Sequence, residues 1–168
     1  DPHGSTNPFN LRNSPSTSDT LANGYAYTLG GNGKICMDCH KNRRDAAVTV
    51  NTNVTNSHWG PHHSVQVDNF LGQNAAMFGT TPYLTNSHQY AITDACVTCH
   101  MTLLPDTSVT NANKVGGHTF RLKNSDTGYE LTGGCTSCHG PKNSFEEFEA
   151  SMDYDGDGMV EGIQSEVD

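Results

Sequence analysis

The chain has 168 residues, of which 33% are hydrophobic and 8% aromatic, and its formal net charge is −9 with neutral histidines. A chain of this length usually forms one domain, but so few apolar residues leave a conventional side-chain core thin. The acidic charge makes nucleic acid and anionic lipid poor partners. No apolar run is long enough to span a bilayer, and we expect a sequence that begins at Asp1 to be a processed mature chain.

The predicted elements are few and short. Residues 1–34 are rich in Asn, Ser, Pro and Gly, which predicts an extended N-terminal arm or a wrapping loop. Residues 41–47 are predicted to continue a short helix, and residues 61–72 to form another that has a proline at its first position. Residues 101–134 are predicted to be loop with at most small strands.

All six cysteines belong to three copies of Cys-Xaa-Xaa-Cys-His, the signature of c-type haem attachment. The three copies are Cys36, Cys39 and His40; Cys96, Cys99 and His100; and Cys135, Cys138 and His139. In each copy two thiols bond to the porphyrin edge, and the histidine that follows is the proximal ligand of the iron. The sequence therefore predicts three covalent haems c, each held by a motif that opens a short helix.

Two other interpretations of the motifs fit less well. A zinc site draws four ligands from paired half-sites and does not require a histidine after every second cysteine. A disulfide framework would not repeat one spacing three times with the same following residue. Covalent haem therefore stays the prediction for all three copies.

Histidine is abundant enough to supply the second axial ligand of every iron. Six histidines lie outside the motifs: His3, His58, His62, His63, His88 and His118. Methionine is another common ligand, but Met37 and Met101 lie inside or beside a motif, where the chain cannot easily reach the far face of the ring. We therefore expect bis-histidine ligation, with potentials below those of His/Met cytochromes.

The distal candidates differ in their surroundings. His118 follows a glycine pair that lets the backbone approach a flat ring, and Phe120 can pack against the porphyrin. His88 lies shortly before the second motif. Adjacent histidines on a helix point about 100° apart, so His62 and His63 either serve two haems or leave one ring solvated. We place His118, His88 and His62 first, then His3 and His63, and His58 last.

A separate motif near the C-terminus matches the calcium-loop template Asp-x-Asp-x-Asp-Gly. Its members are Asp153, Asp155, Asp157, Gly158, Met159, which offers its backbone carbonyl, and Gln164. Gln164 stands where a bidentate glutamate is expected, so the affinity is lowered unless Glu161 or a water fills in. We predict a Ca²⁺ ion that pins the C-terminal tail, and the alternative is an acidic turn without an ion.

The predicted organisation is one domain with three parts. Residues 1–34 form the arm, residues 35–144 a trihaem core, and residues 145–168 a C-terminal helix with the calcium-binding-like loop. Ser144 and Glu147 have the spacing of a capping box for that helix. The predicted fold class is a multihaem cytochrome c with few secondary structures, in which short haem-associated helices and long loops wrap around three haems.

Several segments resemble exported multihaem c-type cytochromes of metal-reducing microbes, including the group that polymerises into extracellular conductive filaments. They are Gly60-Pro61-His62-His63 with Gln66 and Asp68, Asp94-Ala95-Cys96 through Met101, Gly116-Gly117-His118-Thr119-Phe120, the third motif and the Asp-rich tail. In many of these proteins Asp-Pro-His-Gly directly follows a haem-binding histidine, and here it opens the chain. The resemblance implies that His3 is an axial ligand, either within the chain or of a haem in a neighbouring subunit.

The sequence predicts electron transfer rather than enzymatic chemistry. Catalysis needs an iron with an open distal position and acid–base groups nearby, whereas surplus histidines predict saturated irons. We expect an exported protein, extracellular or at the cell surface and alternatively periplasmic, that passes electrons to an external acceptor. Its partners are expected to be further copies in a homopolymer or other redox proteins. The alternatives are a discrete electron carrier and an electron-transfer subunit of a multihaem reductase.

Overall fold

The computed structural model describes residues 17–50, 64–75, 77, 79–80, 86–104 and 110–167. Loops make up most of this part of the chain. Its α-helices are Lys34–Met37 (α1), Ala46–Thr49 (α2), Gln66–Leu71 (α3), His88–Ala91 (α4), Cys96–His100 (α5) and Thr136–His139 (α6). Its 3-10 turns are Gly31–Gly33, Gly117–Thr119, Gly133–Cys135, Phe145–Glu147 and Ser165–Val167. None of the described helices is long and apolar enough to cross a bilayer.

The chain divides into two compact units, Asp1–Cys96 and Val97–Asp168. The described part of the first unit begins with a two-stranded antiparallel hairpin, in which β1 (Asp19–Thr20) pairs with β2 (Ala26–Tyr27). Gly24 occupies the connecting turn at a φ of 86°, a conformation that glycine adopts at little cost. This division differs from the predicted one of arm, core and tail.

A small apolar core holds the first unit together. Its buried members are Leu21, Tyr27, Met37, Val67, Leu71 and Ala95. Met37, inside the first motif, has no exposed surface, so it anchors α1 in this core, and burial of such a side chain contributes about 2 kcal/mol. Leu21 and Tyr27 come from the hairpin segment. Residues 17–34 are therefore not the predicted extended arm, and residues 1–16 lie outside the described part.

The helices of the first unit begin and end where local caps place them. The predicted continuation of the first helix over residues 41–47 is not formed, because α1 ends at Met37 and α2 begins only after Asp45. The Asp45 side chain accepts a hydrogen bond of 2.9 Å from the N–H of Ala47, which is an ordinary N-cap. The helix predicted over residues 61–72 is present in the described residues as α3, and Gly72 ends it with a φ of 61°.

The second unit is built from loops joined by backbone hydrogen bonds. In residues 115–132 the N–H of Gly116 donates to the carbonyl of Arg121 at 2.8 Å, and the N–H of Leu131 donates to the carbonyl of Leu122 at 2.7 Å. Leu131 is 1% exposed. Residues 115–132 therefore fold back on themselves, and Leu131 is buried in the interior of the second unit.

The predicted C-terminal helix is only one 3-10 turn. The carboxylate of Glu147 accepts hydrogen bonds from the backbone and side-chain N–H groups of Asn143, at 3.0 and 3.2 Å, and Ser144 makes no side-chain cap. The capping box is therefore not formed. Beyond the turn the chain is extended and forms an antiparallel bridge between Glu149 and Gly162, a pairing that a continued helix would prevent.

Two glycines of the second unit make a matched test of this packing. Gly116 and Gly128 both have positive φ, 65° and 74°. A Cβ at Gly116 would lie 2.9 Å from the side chain of Leu131 and closer still to the Thr102 carbonyl oxygen, whereas a Cβ at Gly128 meets nothing within 4 Å. Gly128→Ala is expected to lower the free energy of unfolding by about 1 kcal/mol, the cost of a left-handed backbone at alanine.

We expect Gly116→Ala to cost a further 1–3 kcal/mol, roughly, because the methyl group must displace backbone. Denaturant unfolding of both variants and of the unmodified protein measures the difference. Equal losses of stability in the two variants would contradict the close packing of Gly116 against Thr102.

Candidate functional site

The three motifs each lie on one short helical turn. In the first motif the N–H groups of Cys39 and His40 bond to the carbonyl of Cys36, at 3.2 and 3.0 Å. The second motif is α5 itself, and the third runs from the end of a 3-10 turn through α6. Residues three and four positions apart lie on one face of a helix. Each motif therefore presents two thiols and one imidazole on the same face.

All six thiols are free of disulfides. In the first unit the thiols of Cys36 and Cys96 are hydrogen-bonded to each other, and this bond lowers the pKa of Cys36 to about 7. In the second unit Cys99 and Cys135 are hydrogen-bonded to each other, while burial raises the pKa of both thiols. Each consecutive pair of motifs thus has one cysteine contact.

The His100 ring has its orientation fixed by the backbone. Its Nδ1 lies 2.8 Å from the carbonyl oxygen of Phe120. A carbonyl oxygen only accepts hydrogen bonds, so Nδ1 carries the proton of the neutral ring and Nε2 keeps a lone pair. Histidines that bind metals almost always donate the other ring N–H in this way, which sets the tautomer and strengthens the ligand. His100 therefore has the arrangement of an iron ligand.

The Phe120 carbonyl is aimed by an unusual backbone. Phe120 has a φ of 56°, and Gly116 and Gly117 before it have φ values of 65° and 49°. The Thr119 hydroxyl donates to the Gly116 carbonyl at 2.7 Å and closes the turn. A left-handed conformation costs a non-glycine residue of order 1–3 kcal/mol and is retained only where the surroundings impose it. Phe120 thus combines a left-handed backbone with the carbonyl that accepts the bond from His100.

The other two proximal candidates occupy different surroundings. The backbone carbonyl of His40 accepts a hydrogen bond of 3.0 Å from the N–H of Val67 at the start of α3. The ring of His139 meets the ring of Phe148 edge-on, with centroids 5.1 Å apart, and borders an open cleft of about 240 Å³. Lys142 and Glu147 also line this cleft. The contact at His40 therefore involves its backbone, whereas the contact at His139 involves its ring.

Two of the distal candidates lie in the described residues. The His88 Nδ1 is 3.1 Å from the side-chain oxygen of Asn86, which leaves Nε2 as the acceptor nitrogen of that ring. His118 lies exposed in its 3-10 turn, with its ring edge-on to Phe120 at 6.2 Å. Of the glycine pair, Gly117 faces open space, while Gly116 packs against protein. The predictions for His3, His62, His63 and His58 fall outside the described residues.

Large apolar side chains are exposed near the motifs and their candidate ligands. Leu103, just after the second motif, is 81% exposed, Tyr90 in α4 is 73% exposed, and Phe120 is 50% exposed. Val48 and Val50, after the first motif, are also exposed. Leaving such side chains in water is unfavourable by about 25 cal/mol per Å² relative to burial. Exposed apolar side chains of this kind are those that a bound porphyrin would cover.

The acidic loop gathers three carboxylates, and one of them is not in the predicted set. Oxygens of Asp153, Asp155 and Glu166 all lie within 4.8 Å of one another. Asp157 accepts the N–H of Met159 at 2.7 Å and lies outside this group. A group of this kind suits Ca²⁺, which prefers carboxylate oxygens.

Glu166 takes the place in which the template expects a glutamate at Gln164. Its two oxygens accept the N–H groups of Tyr154 and Glu161, at 2.6 and 2.8 Å, and the residue is buried. The 3-10 turn Ser165–Val167 brings it back to the loop. The sequence prediction omitted Glu166 because this residue lies two positions beyond the end of the template. The only sequence feature that could have indicated it is its carboxylate side chain close to the loop.

The electrostatics of the loop keep two of its carboxylates ionised. Hydrogen bonds from the N–H groups of Gly156 and Gly158 hold the pKa of Asp153 below its usual value. The N–H of Tyr154 does the same for the pKa of Glu166. Lowered pKa values stabilise the fold above the ordinary carboxylate range, and that stabilisation is lost as the pH falls through them. The loop is therefore anionic at neutral pH.

Comparisons with known proteins assign no relatives to this arrangement. The chain matched none of the protein-family models, and the searches of curated proteins and of solved structures returned no match either.

The composition of the acidic group predicts the effect of one substitution. We expect Glu166→Gln to weaken calcium binding about tenfold or more, because it removes one of three converging charges. Isothermal titration calorimetry with CaCl₂ on the full chain measures the affinity. Glu149→Gln is the control, since it removes a charge outside the group. Equal weakening by both variants would contradict a ligand role for Glu166, and no binding at millimolar calcium in the unmodified protein would remove the site.

Proposed function

We propose that the protein is a trihaem c-type cytochrome that carries electrons by hopping between closely packed bis-histidine haems. The observation that carries this proposal is the His100 ring, whose Nδ1 donates to a backbone carbonyl while Nε2 keeps its lone pair, on the same helical turn as Cys96 and Cys99. A zinc or redox-dithiol motif needs no such histidine. The same residue order occurs twice more, at His40 and His139.

The residues of the chain fit the group that they would hold. The three cysteine pairs would form the thioether bonds, and His40, His100 and His139 would be the proximal ligands. His88 and His118, with histidines among His3, His62, His63 and His58, supply the distal side. Haem iron contributes reversible one-electron chemistry. The chain itself positions the imidazoles, and hydrogen bonds at Nδ1 orient the rings of His100 and His88.

The cysteine contacts support short distances between successive haems. Cys36 and Cys96 are in hydrogen-bonding contact in the first unit, and Cys99 and Cys135 in the second. Because each thiol would hold a porphyrin edge, edges of consecutive macrocycles would be neighbours. Close neighbours favour hopping along a row, which is the property that an electron conduit needs.

Covalent attachment is the first test of the proposal. We expect the pigment to stay with the polypeptide in acidified acetone and the intact mass to include three haem groups. The variant Cys135→Ala/Cys138→Ala is expected to retain two, because only the third motif is lost. Pigment that extracts freely from the unmodified protein would overturn the proposal.

We further propose that the protein works outside the cell, as a filament subunit rather than as a discrete carrier. This part rests on the resemblance to filament-forming multihaem cytochromes. Negative-stain microscopy of the purified haem-loaded protein distinguishes the two: filaments support the first form and dispersed particles the second. A high-spin haem in the resting spectrum would instead favour a catalytic haem subunit of a reductase.

The bond between His100 and Phe120 predicts a redox effect. Phe120→Gly keeps the left-handed backbone, whereas Phe120→Val disfavours it, because a β-branched residue is strongly disfavoured at positive φ. We expect Phe120→Val to raise the reduction potential of one haem, since an imidazole that loses its acceptor is a weaker donor to ferric iron. Potentiometric titration measures this change. Both variants lose the aromatic ring, so the ring alone cannot make them differ. Identical shifts of the reduction potential in the two variants would show that the Phe120 carbonyl does not influence this haem.

A further inference from the structure

The hydrogen bond between His100 and Phe120 also restricts what His118 can bind, given the haem attachment proposed above. The two nitrogens of an imidazole point in nearly opposite directions. Phe120 touches Nδ1 of His100, so Phe120 lies on the side of the ring away from Nε2. An iron bound at Nε2 would have His100 and Phe120 on the same face of its porphyrin.

His118 is only two residues from Phe120, and the chain between them is compact. Two residues span at most about 7 Å when fully extended, and here they belong to the 3-10 turn Gly117–Thr119, whose rise is about 2 Å per residue. The N–H of Phe120 bonds to the Gly117 carbonyl at 3.3 Å. This segment cannot pass around a macrocycle to its opposite face. His118 is therefore excluded as the second ligand of the haem held by Cys96, Cys99 and His100.

The same segment leads towards the third motif. The Leu131 side chain lies against Gly116, and a Cβ at Gly134 would be 3.0 Å from the Thr98 carbonyl oxygen and 3.3 Å from the Cα of Cys99. Cys135 follows directly and is hydrogen-bonded to Cys99. Within the described part of the second unit, the third motif is thus packed against the C-terminal end of α5, beside the loop that carries His118.

We propose that His118 is the distal ligand of the haem held by Cys135, Cys138 and His139. Residues 118–120 then join two irons. The His118 side chain binds one of them, and the Phe120 carbonyl orients the proximal ligand of the other. The edge-on contact of the Phe120 ring with the His118 ring, at 6.2 Å, steadies the ligand.

The test compares His118→Ala in two backgrounds. In the haem-loaded three-haem protein the substitution is expected to convert one haem of three from low spin to high spin, as read by electron paramagnetic resonance. In the Cys135→Ser/Cys138→Ser background it is expected to add no high-spin signal, because its haem is already missing. A new high-spin haem in that background, or no change in the three-haem protein, overturns the assignment.

A second measurement covers the case in which the two-haem protein does not accumulate. His118→Met in the three-haem protein places a methionine methyl group on the iron that residue 118 binds. In the reduced protein, nuclear Overhauser contacts from this methyl group to haem protons assigned through Cys135 and Cys138 support the assignment. Contacts to the haem of Cys96 and Cys99 or of Cys36 and Cys39, or no contact to any haem, overturn it. If acidified acetone removes the pigment, the trihaem proposal itself is rejected. If the pigment stays bound but the substitutions at His118 alter a haem other than the one held by Cys135 and Cys138, only this assignment is rejected.

Discussion

A shortage of buried apolar side chains is the constraint on which the rest of the described structure depends. Nine hydrophobic residues are buried in the described part of the chain, and eleven large ones are exposed. Within each unit, backbone hydrogen bonds across loops supplement the few buried side chains. Such bonds add only about 1 kcal/mol each to stability. Three covalent macrocycles, as proposed, would provide the apolar interior that the side chains do not, because they would cover exposed residues such as Leu103 and Tyr90.

The sequence predicts the local structure of the motifs better than the path of the chain between them. The motifs are predicted to open short helices, and Cys96–His100 is helical. The bond from His100 to Phe120 joins residues twenty positions apart, and no local pattern marks it. The prediction of a C-terminal helix is wrong, because the chain after Glu147 is extended and pairs Glu149 with Gly162. Glu166 was missed because a 3-10 turn, which the template does not contain, returns it to the loop.

The loop around residues 116–122 links the sites of the second unit. Its backbone is left-handed at Gly116, Gly117 and Phe120, and it is fixed to Leu131 through the bond from Leu131 to Leu122. One end of this loop therefore holds the His100 ring, while its middle presents His118. If the proposed haems are present, any change in its conformation alters the ligands of two irons together. This coupling gives a physical reason for retaining costly backbone conformations there.

The acidic loop is connected to the third motif by a short path of contacts. The N–H of Ile163 bonds to the carbonyl of Phe148 and the N–H of Ala150 to that of Glu161, both at 2.8 Å. The Phe148 ring in turn lies edge-on against His139. A cation between Asp153, Asp155 and Glu166 would neutralise carboxylates that otherwise repel one another, and so hold the strand-like pairing that positions Phe148. The proposed calcium site would then act on the third haem through packing rather than through direct contact, which makes it a structural clamp for that proximal ligand.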